Sequence, residues 1–333
     1  MTVASTPPSS ATGTPRRGLV LGAGGVLGAA WSIGALSAVA EVEGFDPHSA
    51  TIILGTSAGS VLAALLGAGL TIGELIDHQH GLPLPREVGL DWDYDHSTGG
   101  AHPPRPRFAV GSPALLRRTI IRPRQVPPLA VLAALAPAGT GTLAEVGRMA
   151  ASVAGEGGWV QRDGVWVVAM DYDSGERTTF GREGSPAANL DDAVMASCAI
   201  PGWYAPVQIG GRRYIDGGAW STTNVDVLAT ESLDEVYVLA PMAAFVDDHP
   251  HRLATRVERR VRRQVTRRLL NEAEKVTRAG AAITVLAPGP EDLATIGANM
   301  MDPVRRLEVL ETSLRTSADA LRHPRPDDLG RAL

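Results

Sequence analysis

Ser57 lies in the run Gly55-Thr56-Ser57-Ala58-Gly59, directly after the apolar stretch Thr51-Ile52-Ile53-Leu54 and directly before Ser60-Val61-Leu62-Ala63-Ala64-Leu65-Leu66. This reads as a strand, a corner of small residues and a helix. A G-x-S-x-G corner between a strand and a helix presents the serine hydroxyl at the tip of a sharp turn. Gly55 and Gly59 let the backbone turn there without a side chain striking the neighbouring elements. The helix start adds free N–H groups and a partial positive charge at the same point. The chemistry such a serine serves is nucleophilic acyl transfer. A hydroxyl is a poor nucleophile at neutral pH, so it needs a positioned proton acceptor, and the tetrahedral intermediate needs hydrogen-bond donors for its oxyanion. On this segment alone a packing role for the small residues competes evenly.

Two further segments could supply those groups. Leu19-Val20-Leu21-Gly22-Ala23-Gly24-Gly25-Val26-Leu27-Gly28 reads again as strand, glycine-rich loop and helix. Consecutive glycines allow main-chain N–H groups to converge on one anion. Tyr214-Ile215-Asp216-Gly217-Gly218 ends a short β-ribbon on an aspartate, and follows the block Ala196-Ser197-Cys198-Ala199-Ile200-Pro201-Gly202.

Together the three segments resemble the patatin-like phospholipase family, in the family's order, from about Arg17 to Asp226 with an unmatched insert in the middle. The resemblance implies a three-layer α/β/α fold with a mainly parallel central sheet and a helical and loop insert. It implies a Ser–Asp dyad in which no histidine takes part, with Ser57 as nucleophile and Asp216 as its base. The amides of Gly24 and Gly25 would form the oxyanion hole, and Gly22, Gly28, Gly55, Gly59, Gly217 and Gly218 are the supporting motif glycines. The activity implied is hydrolysis of lipid carboxylic esters, of phospholipase A, lysophospholipase or esterase type, through an acyl-enzyme and without a cofactor. A carboxylate is a weaker base than imidazole, so Asp216 must be close to Ser57 and made more basic by its surroundings.

The chain departs from the family pattern in three places. Leu27 stands where the first loop usually carries Arg or Lys, and Ala23 where many members have glycine. Asn224-Val225-Asp226 stands in place of N-x-P. Neither loop change removes a backbone N–H. The missing cation leaves headgroup recognition without an evident residue, and Asn224 is expected to brace the aspartate loop.

The elements that must position these groups follow from periodicity. Val20 to Leu66 gives strand, helix (Val26–Glu43), strand, helix, a βαβα start that implies a parallel sheet covered by helices. Strands are expected at Trp159–Gln161 and Val165–Met170, joined by an Arg162-Asp163-Gly164 turn, and again at Arg177–Phe180, Glu235–Leu239 and Ala282–Leu286. Leu190–Ser197 reads as a helix, and Met300–Leu321 as a closing one. Gly81–Pro106 reads as a long exposed loop, and Leu129–Leu135 as an apolar helix that packs more readily than it serves as a lid. The domain plan is a disordered lead over 1–16 and one hydrolase domain over 17–325. Within that domain, 81–155 is the variable region and 250–325 the C-terminal helices.

From Arg252 to Arg278 one long basic helix is expected. Leu253, Val257, Val261, Val265 and Leu269 recur every fourth residue, and arginines surround that stripe. Such a helix can lie on an anionic membrane; ordinary packing by the stripe is favoured, because the arginines do not cluster opposite it.

Composition narrows the class. The chain has 333 residues, 44% hydrophobic, and a net charge of −5, which gives no nucleic-acid footprint. Its one cysteine, Cys198, excludes an intramolecular disulfide and reads as a small buried hydrophobe. The first sixteen residues lack the apolar core of a signal peptide, and Gly18–Val42 fits strand, loop and helix better than a membrane span. A cytoplasmic protein is expected, with peripheral membrane contact open. The scattered histidines have no common zinc spacing, so no catalytic metal is expected. Three other readings compete: an α/β-hydrolase using late His323 as base, a dinucleotide site at Gly22–Gly28, and a patatin-like domain that binds lipid without turnover.

Overall fold

The computed structural model describes residues 14–84, 102, 104–105, 107–121, 126–245 and 253–323. Most of the expected lead, most of the expected Gly81–Pro106 loop, and His249 and His251 lie outside the described residues. In chain order the elements are β1 (Arg17–Leu21), α1 (Gly25–Glu43), β2 (Ile52–Thr56), α2 (Ala58–Gly67), α3 (Ile72–Gln79), β3 (Arg107–Val110), α4 (Pro113–Ile121), α5 (Pro128–Leu135), β4 (Pro137–Ala138) and α6 (Ala144–Ser152). Then come β5 (Val165–Asp171), β6 (Arg177–Phe180), α7 (Leu190–Cys198), β7 (Val207–Ile209), β8 (Arg212–Asp216), β9 (Glu235–Leu239), α8 (Leu253–Arg278), β10 (Ala282–Leu286), α9 (Pro290–Ile296) and α10 (Arg306–Arg322).

The main sheet has the order β10-β9-β1-β2-β5-β8-β7, with β6 also paired to β5. The first five strands of that order are parallel; β6 and β8 run antiparallel to β5, and β7 antiparallel to β8. Side chains alternate strictly between two cores. Leu19, Leu21, Ile53, Val165, Val167, Tyr237 and Leu239 face the layer holding α1, α2, α6, α7 and α10. Val20, Ile52, Leu54, Trp166, Val168, Val236 and Val238 face α8. Burial on both faces is why these strands read as continuous apolar runs instead of alternating ones. The result is a three-layer α/β/α fold.

Helix α1 is long and apolar enough to cross a bilayer, yet 67% of its most apolar window is buried inside the fold. Ser313 on α10 donates to the Trp31 carbonyl (2.7 Å), and a Cβ at Gly34 would lie 2.8 Å from the Leu314 nitrogen, so the two helices meet almost backbone to backbone.

Three expectations need correction. Trp159–Gln161 is not a strand: the Trp159 carbonyl accepts from the Gly155 N–H and its indole donates to the Val165 carbonyl, so its hydrogen bonds close a local loop. The closing helix starts at Arg306, after a 3-10 turn at Pro303–Arg305 capped by Asp302. On α8 the every-fourth stripe does not stay on one face, because four residues overshoot a 3.6-residue turn by 40° each time. Val261 is exposed, while Val265, Leu269, Ala273 and Val276 are buried with Arg262 and Glu272; the side chains of Leu253 and Val257 lie outside the described set.

Candidate active site

Strand register brings the expected dyad together. On β5, Val168 is opposite both Thr56 of β2 and Thr179 of β6, while Ala169 is opposite both Asp216 of β8 and Thr178 of β6. Since β6 occupies one edge of β5, β2 and β8 share the other and run toward each other. They end on adjacent residues of β5. Ser57, one residue beyond Thr56, therefore emerges beside Asp216.

Ser57 has φ 54° and ψ −125°, in the region that favours glycine, at a typical cost of about 1–3 kcal/mol. The corner is held from behind. The Ser57 N–H donates to Ser197 Oγ (2.8 Å), whose hydroxyl donates to the Val168 carbonyl (2.6 Å), and Ser60 Oγ donates to the Ser57 carbonyl (2.6 Å). A Cβ at Gly59 would lie 2.0 Å from the Leu21 carbonyl oxygen, and one at Gly55 would lie 2.5 Å from the Gly59 carbonyl oxygen. These two glycines let α2 start directly against the end of β1.

Asp216 is buried, and its Oδ1 accepts from the Gly218 N–H (2.7 Å). Burial pushes its carboxyl from an ordinary 3.8 up to about 6; hydrogen bonds from the Ser57 side chain and the Gly218 N–H hold it from rising further. Gly217 passes close over β5, where a Cβ would lie 2.4 Å from the Val168 carbonyl oxygen. Asn224, at φ 53°, donates to Thr56 Oγ1 (3.1 Å) and to the Ser221 carbonyl (2.6 Å), tying the segment after Asp216 to the residue before Ser57. Where the family pattern has proline, Asp226 pairs with Arg177 (2.5 Å) and Lys275 (3.0 Å). Helix α8 contributes buried Glu272, which accepts from Ser221 Oγ (2.8 Å) and pairs with Arg268 (2.9 Å).

The glycine-rich loop runs along the same end of the sheet. The N–H of Gly22 donates to the Leu239 carbonyl, that of Ala23 to the Thr222 carbonyl, that of Leu27 to the Met300 carbonyl and that of Gly28 to Gly24. Among the described residues, those of Gly24 and Gly25 have no hydrogen-bond acceptor. Gly25 has φ +59° and packs against Met300 and Met301; Gly24 and Gly28 pack against Pro241. Neither α1 nor α2 has an acidic residue in its first turn, so no carboxylate of their own offsets the positive ends of these two helices.

The model of the patatin-like phospholipase family matches residues 19–229. The chain belongs to the patatin-like phospholipase family. Among solved structures it is similar to VipD from Legionella pneumophila, at 13% identity and a TM-score of 0.39, covering 90% of this chain and 67% of that one. No curated protein matches it.

In this patatin-like chain Ser57 opens onto a cavity of about 110 Å³ walled by Gly25, Val61, Leu62, Leu65, Leu143, Val146 and Met149. The wall includes residues that motif reading did not single out; no motif marks an apolar wall assembled from α2 and α6. Cys198 also lines it, and burial pushes its thiol up to about 12, as befits a small apolar wall residue. Among the described residues His78 is the histidine at the wall; its imidazole lies 3.3 Å from the Leu82 carbonyl, and burial lowers its pKa. His323 follows α10, whose last residue Arg322 pairs with Glu41 near the far end of α1. That is roughly 22 Å along the helix from Val26, so His323 does not join Ser57 and Asp216.

Proposed function

We propose that the protein is a serine acyl hydrolase that cleaves carboxylic esters of lipids through a Ser57–Asp216 dyad. The observation that carries this reading is the strand register that ends β2 and β8 on adjacent residues of β5, so that Ser57, at the mouth of an apolar cavity, emerges beside the buried carboxylate of Asp216. Asp216 would be ionised at neutral pH, yet basic enough to take the Ser57 proton as the hydroxyl attacks the ester carbonyl. The N–H groups of Gly24 and Gly25 would receive the oxyanion; losing one such donor typically costs roughly 3–4 kcal/mol of barrier. Asp216 would then return the proton to the leaving alcohol, and a water activated by the same carboxylate would release the acid. The cavity would hold the acyl chain.

The test is hydrolysis of a medium-chain p-nitrophenyl ester by the wild type and Ser57→Ala. Turnover that vanishes in a folded variant supports the reading; equal turnover by both proteins would sink it. A folded wild type without turnover on soluble and vesicle-borne esters would favour a lipid-binding role.

A further inference from the structure

The cavity that opens at Ser57 has a direction. Helices α1 and α2 follow adjacent parallel strands and pack in the same layer, so both start at the Ser57 crevice and run away from it. Val26, Ala29 and Ile33 of α1 line the cavity, as do Ala58, Val61, Leu62 and Leu65 of α2. Both sets recur at helical spacing, so each is one stripe along its helix. Val146 and Met149 of α6 close a third side. The cavity is therefore elongated along the two helices, with Ser57 at one end.

Its other end is shut. The chain leaves α2 at Gly67 and begins α3 at Ile72, and α3 packs back against α1. Leu75 and His78 of α3 line the cavity there, and both are buried, as are Ile33 and Leu65. A capping box anchors this wall: the Thr71 N–H donates to the Glu74 carboxylate (2.7 Å), and the Glu74 N–H to Thr71 Oγ1 (3.2 Å).

The depth follows from the helical rise, which gives about 12 Å from Gly25 to Ile33 and about 12 Å from Ser57 to Leu65. A carbon chain with bonds of about 1.5 Å at about 111° advances roughly 1.25 Å per bond, so that depth takes roughly eight to ten carbons. We infer that the cavity is a blind acyl channel, and that α3, through Leu75 and His78, limits the substrate to esters of medium-chain acids. The inference rests on the hydrolase reading for the reacting end of the chain and adds a limit at the other end. Each methylene buried in the channel strengthens binding roughly fourfold. A chain longer than the channel must fold back on itself or hold its ester away from Ser57.

The experiment is hydrolysis of p-nitrophenyl esters from butyrate to palmitate, all at one detergent concentration, by the wild type and three variants. Wild-type kcat/KM should peak at octanoate or decanoate and be roughly tenfold or more lower for palmitate. Ala29→Leu puts a larger side chain halfway down the channel and should move the optimum to butyrate or hexanoate. Leu75→Ala opens the end wall and should move it toward laurate. Leu269→Ala empties the opposite core, under α8, so it should cost stability without moving the optimum. Every protein meets the same dispersion, so a shift between proteins reports the channel and not substrate solubility. Wild-type kcat/KM that is level or rising through palmitate would overturn the inference. So would an optimum left in place by folded Ala29→Leu or folded Leu75→Ala, or one moved by Leu269→Ala. Should Leu75→Ala fail to fold, Ala29→Leu decides alone.

A second measurement needs no turnover: displacement of a fluorescent dye from Ser57→Ala by 1-alkanols. Affinity should climb to decanol and gain nothing further at dodecanol; a steady climb through dodecanol counts against the end wall. That break in affinity, with no ester turnover by the wild type, refutes the hydrolase reading alone. Turnover that depends on Ser57 but shows no length limit refutes the channel limit alone.

Discussion

Asp216→Asn should stabilise the fold while abolishing turnover. The carboxyl of Asp216 is pushed from 3.8 to about 6 mainly by burial, so its ionised form is worse off in the folded chain than in the unfolded one. A tenfold change in acid strength is worth about 1.4 kcal/mol, so ionised Asp216 costs the native state about 3 kcal/mol above pH 6. The sign follows from linkage: the raised pKa gives full relative stability below pH 3.8, which is lost as pH rises through about 6. An asparagine can keep the carbonyl acceptor for the Gly218 N–H (2.7 Å) and carries no charge to desolvate. Urea unfolding of both proteins at pH 8 and at pH 3.5 measures the effect. The variant should be more stable by up to about 3 kcal/mol at pH 8, with the advantage shrinking toward zero at pH 3.5. A variant less stable at pH 8, or an advantage independent of pH, would refute the claim that the site holds a desolvated carboxylate.

Three other outcomes are expected. If Asp216 is the base, kcat/KM for a soluble ester should fall about tenfold per pH unit below about 6 and level off above it, as a rate profile between pH 4 and 8 would show. Gly59→Ala should cost more than about 4 kcal/mol, because its Cβ would meet the Leu21 carbonyl oxygen at 2.0 Å; a wild-type melting temperature would contradict the packing of the corner. Arg262 is buried and holds Glu258 (2.6 Å), the Pro241 carbonyl (2.8 Å) and Met300 Sδ (3.6 Å), and Pro241 and Met300 clamp the glycine-rich loop. Arg262→Met should therefore lower stability by about 3 kcal/mol and reduce kcat with little change in KM, measured by denaturation and steady-state kinetics.

The parts of the site that depend on backbone geometry were legible in the sequence. Gly55 and Gly59 mark a corner where β1, β2 and α2 nearly touch, and a residue that must be glycine for steric reasons leaves a visible trace. Asp216 was legible because it ends a strand and is followed by two glycines, one of which clears β5. The parallel strands were legible as apolar runs such as Glu235–Leu239, since both their faces are buried. What depends on distant packing was not legible. Ser197 supports Ser57 from 140 residues away, and nothing in its own surroundings reveals that role. The buried pairs of α8 were hidden because Arg262 and Glu272 look like solvated residues until β9 and the loop after Asp216 cover them. Trp159–Gln161 has strand-forming residues, but the loop bonds of Trp159 outweigh that propensity.

Activation of the Ser57 hydroxyl by Asp216 is the step on which the proposed hydrolysis depends. Its most direct measurement is reaction of the folded chain with a fluorophosphonate, followed by mass spectrometry of the peptides, because such reagents form stable adducts with activated serines. One adduct is expected, on Ser57 in the wild type, with its loss in Asp216→Asn at unchanged fold. An adduct on another residue, or labelling of Ser57 that is indifferent to Asp216→Asn, would contradict it.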